Sequence, residues 1–248
     1  YGGGVNFISS EPDFFQLWQY SPLPDAANSL SKSVAWGLCT DNEGQVWVGT
    51  DGGGIDVFKG GQKTASYKKG AAPRGLSDNA VLSGFKDSKG ILWFGTYSGG
   101  ITRYLPGEKK FEHFSPAGFT AKDIRCFYED KNGFIWIGTN GDGLYRYLPE
   151  SKELLQLRRE NRNLTENYLR AVTADSDGHL WVGTFGQGLG ILDNQYKVVR
   201  DYSINNGLHS NTITYIFRDS KNRMWVGTGE GLACLLTAAT KNLPFTPK

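Results

Sequence analysis

The chain has 248 residues, 39% of them hydrophobic, which is enough to build the core of one all-β domain. Its 33 glycines and its 13% of aromatic residues are typical of many short strands joined by tight turns. The net charge of +2 gives no support to a nucleic-acid partner, and no apolar run approaches the length of about 18 residues that marks a transmembrane helix.

The first residues align with the middle of a repeat found further along the chain. Tyr1–Phe7 reads Tyr-Gly-Gly-Gly-Val-Asn-Phe, and Asp51–Val57 reads Asp-Gly-Gly-Gly-Ile-Asp-Val. The Trp-x-Gly-Thr motif that precedes Asp51 has no counterpart before Tyr1. We therefore expect residues 1–29 to be the second half of a repeat, and the chain to be a fragment of a larger array.

Five repeats follow, each marked by the motif Trp-x-Gly-Thr, and successive motif tryptophans stand 43 to 46 residues apart. An Asp stands six residues before each Trp, and a Gly or an Asn stands three residues before it. We place the repeat boundaries at about residues 30–75, 76–118, 119–163, 164–207 and 208–248, within one domain that covers residues 1–248. The motif tryptophans are Trp47, Trp93, Trp136, Trp181 and Trp225.

Each repeat predicts four antiparallel strands. An apolar stretch such as Val81–Phe85 predicts a buried inner strand, and the Asp-x-x-Gly after it is typical of a hairpin turn. The Trp strand comes second, a glycine turn and an alternating strand follow, and a looser fourth strand is expected at Phe111–Phe114 and at Val198–Tyr202. Four strands in about 45 residues are the blade of a β-propeller, so the chain predicts an all-β propeller of five such blades.

A connection of the type Leu-Ser-x-Asn precedes most of the inner strands. Leu76–Asn79 and Leu164–Asn167 are examples, and Phe119–Asp123 departs from the pattern. The Asn or Asp side chain can bond the local backbone and start the next strand, so we interpret these segments as blade-to-blade connections.

Residues 76–104 carry Leu-Ser-x-Asn-x-Val, Asp-x-x-Gly-x-Leu-Trp-x-Gly-Thr and Gly-Gly-Ile-x-x-Tyr in succession. This succession resembles the two-component regulator propeller repeat, and similar motifs cover about residues 1–236. The resemblance implies a large, often seven-bladed propeller in the periplasmic part of a hybrid sensor histidine kinase that detects glycan breakdown products. It further implies that kinase activity and contact with a membrane belong to other parts of a parent protein.

We expect a ligand on the face formed by the blade connections and by the turns between second and third strands. The repeat leaves these positions variable, and aromatic faces, amides and arginines in one concavity suit a sugar or an acidic oligosaccharide. Four candidates stand four residues after a motif Trp: Asp51, Tyr97, Asn140 and Phe185. Asp142, Gln187 and Glu230 are near them in the same turns. The others are Arg125 and Arg170 at the start of inner strands, and His209 and Tyr168 in blade connections.

Each candidate also has a structural interpretation. Loop Asn and Asp form turns, exposed aromatics pack between blades, and arginines pair with backbone or carboxylates. The motif Trp and Asp residues are expected in the core and in turns.

Two other function classes stay open. A propeller lyase would use His and a metal, but His113, His179 and His209 fall at different places of the repeat, so we expect no catalytic site, no metal and no cofactor. A protein-interaction platform or homodimer is the stronger alternative, because unpaired strand edges tend to associate with other chains.

Overall fold

The computed structural model describes residues 5–8, 15–22 and 28–236. Within these ranges every regular element is a strand, and the strands form six antiparallel sheets. The chain divides into two compact units, Tyr1–Ile124 and Arg125–Lys248. No helix long and apolar enough to cross a membrane occurs in the described ranges.

The first unit contains a two-stranded sheet followed by two four-stranded sheets, each with its strands in sequence order. The strands are β1 (Val5–Ile8) and β2 (Phe15–Trp18), then β3 (Ala35–Thr40), β4 (Val46–Thr50), β5 (Gly54–Lys59) and β6 (Gln62–Tyr67), then β7 (Val81–Lys86), β8 (Leu92–Thr96), β9 (Ile101–Leu105) and β10 (Lys110–Phe114).

The second unit contains two four-stranded sheets and one sheet of three strands. The strands are β11 (Ile124–Glu129, whose first residue belongs to the first unit), β12 (Ile135–Thr139), β13 (Leu144–Leu148) and β14 (Glu153–Leu157), then β15 (Leu169–Ala174), β16 (Leu180–Thr184), β17 (Leu189–Leu192) and β18 (Val198–Tyr202), then β19 (Ile213–Arg218), β20 (Arg223–Thr228) and β21 (Gly231–Leu236).

The four-stranded repeat predicted from the sequence is confirmed in four sheets. The looser fourth strands expected at Phe111–Phe114 and Val198–Tyr202 are β10 and β18, and β1 with β2 forms the expected second half of a preceding repeat. The last repeat shows three strands as far as Leu236, and a fourth strand of that repeat would fall in residues 237–248, outside the described residues.

The first strands of neighbouring sheets lie against each other within each unit, β3 against β7 and β15 against β19. Glycines allow this approach in the first unit. A Cβ atom on Gly37 would lie 2.9 Å from the carbonyl carbon of Ser83, and one on Gly84 would lie 3.1 Å from the backbone nitrogen of Leu38. Any larger residue would force β3 and β7 apart, so the glycines let these two first strands lie directly against each other.

Each motif Trp donates its indole N–H to the Asp six residues before it. The Nε1–Oδ2 distances are 3.0 Å for Trp47–Asp41, 2.8 Å for Trp93–Asp87, 2.8 Å for Trp136–Asp130, 3.0 Å for Trp181–Asp175 and 2.9 Å for Trp225–Asp219. In every case Oδ1 of the Asp accepts two backbone N–H groups of the hairpin turn. The Asp therefore closes the hairpin, as predicted, and also fixes the tryptophan, which the sequence did not reveal.

The tryptophans form the core between sheets. Trp47, Trp93, Trp136 and Trp181 are at most 2% exposed, whereas Trp225, in the last described sheet, is partly buried. Trp47 lies 4.6 Å from Tyr104 of the next sheet, between ring centroids. The predicted core role of the motif is confirmed for the four buried tryptophans.

Candidate functional site

The turns that follow the Trp strands are fixed by the motif threonine. Thr139 Oγ1 donates to the carbonyl of Gly143 at 2.7 Å and accepts the backbone N–H of Asp142 at 3.0 Å. The carbonyl of Asn167, in the next blade connection, accepts the N–H groups of Gly141 and Gly143 at 3.0 and 3.2 Å. A turn of one sheet is thus bound to the connection that follows, and side chains from both lie on one face.

Four residues of the second unit meet at this face, and we call them the Arg170 cluster: Asn140, Tyr168, Arg170 and Phe185. Arg170 Nη1 donates to Asn140 Oδ1 at 2.9 Å and to the carbonyl of Leu169 at 2.9 Å. The guanidinium carbon lies 4.6 Å from the centroid of the Phe185 ring. The structure therefore brings together three of the predicted residues, which are contributed by three different segments of the chain.

Tyr168 completes the cluster through its backbone. It forms an antiparallel bridge with Asn140, and its carbonyl accepts the N–H of Phe185 at 2.8 Å. The Tyr168 side chain is 49% exposed and that of Phe185 is 53% exposed. Two exposed aromatic side chains therefore accompany a guanidinium and an amide, a combination of flat apolar surface and directed polar groups.

The other predicted residues of the second unit have different surroundings. Asp142 Oδ1 forms an ion pair with Arg158 Nη2 at 3.3 Å, so the Asp142 carboxylate already has a partner within the protein. Gln187, His209 and Glu230 are exposed. Arg125 is half-buried and is the second residue of β11, the position that Arg170 holds in β15.

Asp51 and Tyr97 occupy the corresponding turn positions of the first unit, and both are exposed. The N–H of Tyr97 donates to the carbonyl of Ala80 at 3.0 Å, and its side chain is 59% exposed. The following turn is held by Asp78, whose Oδ2 accepts the hydroxyl and the N–H of Ser98 at 2.6 and 2.9 Å. Burial opposes ionisation of Asp78, but these hydrogen bonds outweigh it and hold its pKa below the ordinary value.

The connection Asn residues are structural. Oδ1 of Asn79, Asn167 and Asn211 accepts the backbone N–H of Lys69, Arg159 and Ile204, at 2.7, 2.9 and 2.9 Å. Their side chains tie the end of one repeat to the start of the next, which agrees with the local role assigned from the sequence.

The three histidines lie at the places predicted for them. His113 is on β10, and its Nε2 lies 3.0 Å from the carbonyl oxygen of Gly75. His179 is in the turn before β16, where its Nδ1 lies 3.3 Å from Asp175 Oδ2. His209 is in a blade connection. Among the described residues, no group of three or more His, Cys, Asp and Glu side chains is arranged to hold a metal ion.

Comparison with known families gives four matching segments. The family model described as two component regulator propeller matches residues 29–52, 118–141, 163–186 and 207–230. Each matched segment runs from a blade connection through the Trp-x-Gly-Thr motif. The segment 76–104, which carries the resemblance in the sequence, lies between the first two matches. No curated protein matches the chain.

Comparison with solved structures gives extracellular domains of two component systems. A chain described as the extracellular domain of a hybrid two component system from B. thetaiotaomicron is 40% identical, with a TM-score of 0.81 over 92% of this chain and 30% of that chain. The extracellular domain of a second such system from the same bacterium is 22% identical, with a TM-score of 0.70 over 89% of this chain and 30% of that one. The chain thus spans less than a third of the length of these relatives.

The same fold also occurs in an enzyme. Virginiamycin B lyase from Staphylococcus aureus is 17% identical, with a TM-score of 0.64 over 83% of this chain and 67% of the lyase. At that identity the likeness shows the fold alone. The predicted fold class, an all-β propeller, is confirmed by these relatives and by the four-stranded sheets. The expectation that the chain is a fragment of a larger propeller is consistent with the 30% share that it covers of these relatives.

Proposed function

The chain belongs to the two-component regulator propeller repeat family, and from that premise we propose that it is part of the periplasmic sensing region of a hybrid two-component sensor histidine kinase. Support comes from the relative that is 40% identical, which is described as the extracellular domain of such a system. In this proposal the chain binds a ligand and passes the signal to parts of a parent protein, and it catalyses no reaction itself.

The proposed ligand is an oligosaccharide, and the observation that supports this choice is the Arg170 cluster. The apolar face of a sugar ring can pack on the exposed rings of Tyr168 and Phe185. Hydroxyl groups both donate and accept hydrogen bonds, so they suit an amide beside a guanidinium, as in Asn140 and Arg170.

A thermal-shift screen of the chain against oligosaccharides tests the proposal. A ligand that binds only the folded state raises the free energy of unfolding by mass action, by about 2.7 kcal/mol at one hundred times its Kd, and so raises the melting temperature. We expect at least one oligosaccharide to give such a shift, and Phe185→Ala to remove it. Val199→Ala is the matched control, because Val199 is 55% exposed on β18.

The result against the proposal is equally specific. If no neutral or acidic oligosaccharide of the panel changed the melting temperature, the proposed ligand class would be wrong. If Phe185→Ala kept the full shift in melting temperature, the oligosaccharide would have to bind at another surface of the chain. Turnover of any tested glycan or lactone by the isolated chain would favour the enzyme class instead.

Homodimerisation is a second candidate function, and a specific surface favours it. Tyr215, Phe217 and Leu232 of the β19–β21 sheet are 63%, 48% and 61% exposed. An apolar sheet face of this kind is typical of an association surface. Analytical ultracentrifugation of the chain and of Tyr215→Ser tests it: a dimer that this substitution dissociates supports the interaction, and a monomeric wild-type chain excludes it.

A further inference from the structure

A cavity of about 420 Å³ opens in the second unit among the turns that join β11 to β12, β15 to β16 and β17 to β18. Two of these turns follow the ends of the inner strands β11 and β15, whereas the Arg170 cluster lies at the beginning of β15. Strand β15 shows the separation, since Arg170 is its second residue and Ala174, its last, lines the cavity. The cavity is therefore separate from the site proposed above and lies among the Asp-x-x-Gly turns.

One wall of the cavity is aromatic and held in place. Trp136 and Tyr196 meet edge to face with 5.3 Å between ring centroids. Arg146 Nη1 donates to the Tyr196 hydroxyl at 2.6 Å, and its guanidinium lies 5.3 Å from the Tyr196 ring centroid. Tyr128 lines the cavity beside them, and burial raises the pKa of its hydroxyl. A fixed aromatic wall offers apolar surface at little entropic cost on binding.

The carboxylates around the cavity are largely occupied by the protein. Asp130 and Asp175 each accept two backbone N–H groups and one indole N–H. Asp193 Oδ1 accepts the N–H groups of Gln195 and Lys197 at 2.8 and 3.0 Å. Their charge is stabilised by the turns themselves, so the cavity is a weaker cation site than three carboxylates would suggest.

Cations balance these carboxylates. Lys131 and Arg218 line the cavity together with the amide side chains of Asn132 and Asn194. A lining of three carboxylates, two cations and two amides offers both donors and acceptors with little net charge. A ligand of strong positive or negative charge would meet a like charge in it, whereas a neutral ligand rich in hydroxyls can satisfy both kinds of group.

We propose that this cavity is a second carbohydrate site, which takes one or two rings of a neutral sugar. Its volume lies near the lower end of the range of about 300–1,000 Å³ for ligand sites, which suits a small ligand better than a long chain. The proposal rests on its own residues and goes beyond the function assigned to the Arg170 cluster.

The test uses Asn194→Trp, which places a large side chain at the cavity, and Asn205→Trp as its control in an exposed turn elsewhere on the unit. Maltose, cellobiose, mannobiose, galactobiose and xylobiose are titrated by calorimetry into the 248-residue chain. The ¹⁵N–¹H signal of the Trp136 indole reports the location, because this group lies at the cavity and bonds Asp130 at 2.8 Å.

We expect at least one of these disaccharides to bind and to shift the Trp136 indole signal. Asn194→Trp should weaken that binding at least about tenfold, which is about 1.4 kcal/mol, while Asn205→Trp leaves it unchanged. Two results overturn the proposal: no disaccharide binds, or Asn194→Trp keeps the wild-type affinity. Binding that Phe185→Ala removes and Asn194→Trp spares would support the Arg170 cluster and reject this site.

Discussion

The guanidinium of Arg170 lies 4.6 Å from the ring centroid of Phe185, while Nη1 of the same group donates to Asn140 Oδ1 at 2.9 Å. The two contacts fix a long side chain that would otherwise sample many rotamers. A ligand that meets this guanidinium therefore finds it already ordered, which lowers the entropic cost of binding. The arrangement also links Phe185 to Asn140, although 45 residues separate them in the sequence.

Arg170→Lys is the sharpest test of this arrangement. A lysine keeps the charge, but it lacks the planar fork that stacks on Phe185 while it bonds Asn140. We expect it to weaken oligosaccharide binding roughly tenfold and to leave the melting temperature of the free chain within the range of ordinary surface substitutions. Calorimetric titration of the oligosaccharide found in the thermal-shift screen measures the effect, and wild-type affinity in Arg170→Lys would contradict it.

Acid should destabilise the fold through the hairpin aspartates. The hydrogen bond from Trp225 is the largest contribution that holds the pKa of Asp219 well below its ordinary value. Burial opposes ionisation of Asp41, but hydrogen bonds from Trp47, Gln45 and Glu43 outweigh it and lower its pKa as well. The folded state then binds fewer protons than the unfolded state, so this stabilisation is present above about pH 4 and is lost as the pH falls below it.

Urea unfolding between pH 7 and pH 3 measures this loss. Asp219→Asn keeps an oxygen for the turn but cannot ionise, so we expect it to lower stability at pH 7 and to reduce the dependence on pH. Asp201→Asn, on the exposed part of β18, serves as the control. A free energy of unfolding that is equal at pH 7 and pH 3 would show that the carboxylates do not carry this stabilisation.

The strands could be predicted because their signals are local. The alternation of apolar residues and the Asp-x-x-Gly turns recur in each repeat, and five repeats in register leave few other folds. The bond from the Trp indole to the Asp was missed, although its signal was present as a constant spacing of six residues. The motif Asp was already explained as a turn residue and the motif Trp as a core residue. No local feature of the sequence indicated that the two side chains form a hydrogen bond.

The candidate site depended on contacts between neighbouring sheets, which a repeat pattern does not specify. Asn140 and Arg170 stand 30 residues apart, and their hydrogen bond follows from how one turn lies against the next inner strand. Asp142 was grouped with them on position alone, but Arg158, which no motif marks, binds its carboxylate. The cavity near Asp193 was not predicted, because its turns were interpreted only as structural elements.

Two cysteines should be almost unreactive in the folded chain. Burial raises the pKa of the Cys39 and Cys126 thiols to about 12 each. Since the thiolate is the reactive form, we expect both to react with Ellman's reagent at pH 8 at least about a hundredfold more slowly in the native chain than in urea. The measurement uses a Cys234→Ser background, so that only these two thiols are counted.

The raised pKa of the Cys39 and Cys126 thiols also makes the stability of the fold depend on pH. The folded state keeps these thiols neutral while the unfolded state ionises from about pH 8.5, so their stabilisation is complete below that pH and is lost as the pH rises towards the folded value. Native thiols that react as fast as unfolded ones would contradict the raised pKa of Cys39 and Cys126, which are partly buried.

Trp136 should be a major determinant of stability. Its side chain is 2% exposed, packs edge to face on Tyr196 and donates to Asp130 at 2.8 Å. We expect Trp136→Ala to lower the free energy of unfolding by about 3–5 kcal/mol, as truncation of a buried aromatic residue does. Trp136→Phe keeps much of the ring but leaves the Asp130 carboxylate without its indole donor, so a smaller loss of about 1.5–3 kcal/mol is expected.

Trp36→Ala is the matched control, because Trp36 is 58% exposed on β3. Urea unfolding followed by circular dichroism should place this variant within about 0.5 kcal/mol of the wild-type chain. The ordering of the three variants separates the contributions: cavity formation makes Trp136→Ala the least stable, and loss of the indole bond accounts for Trp136→Phe. If Trp136→Ala unfolded like Trp36→Ala, the recurring tryptophan could not be the element that joins one sheet to the next.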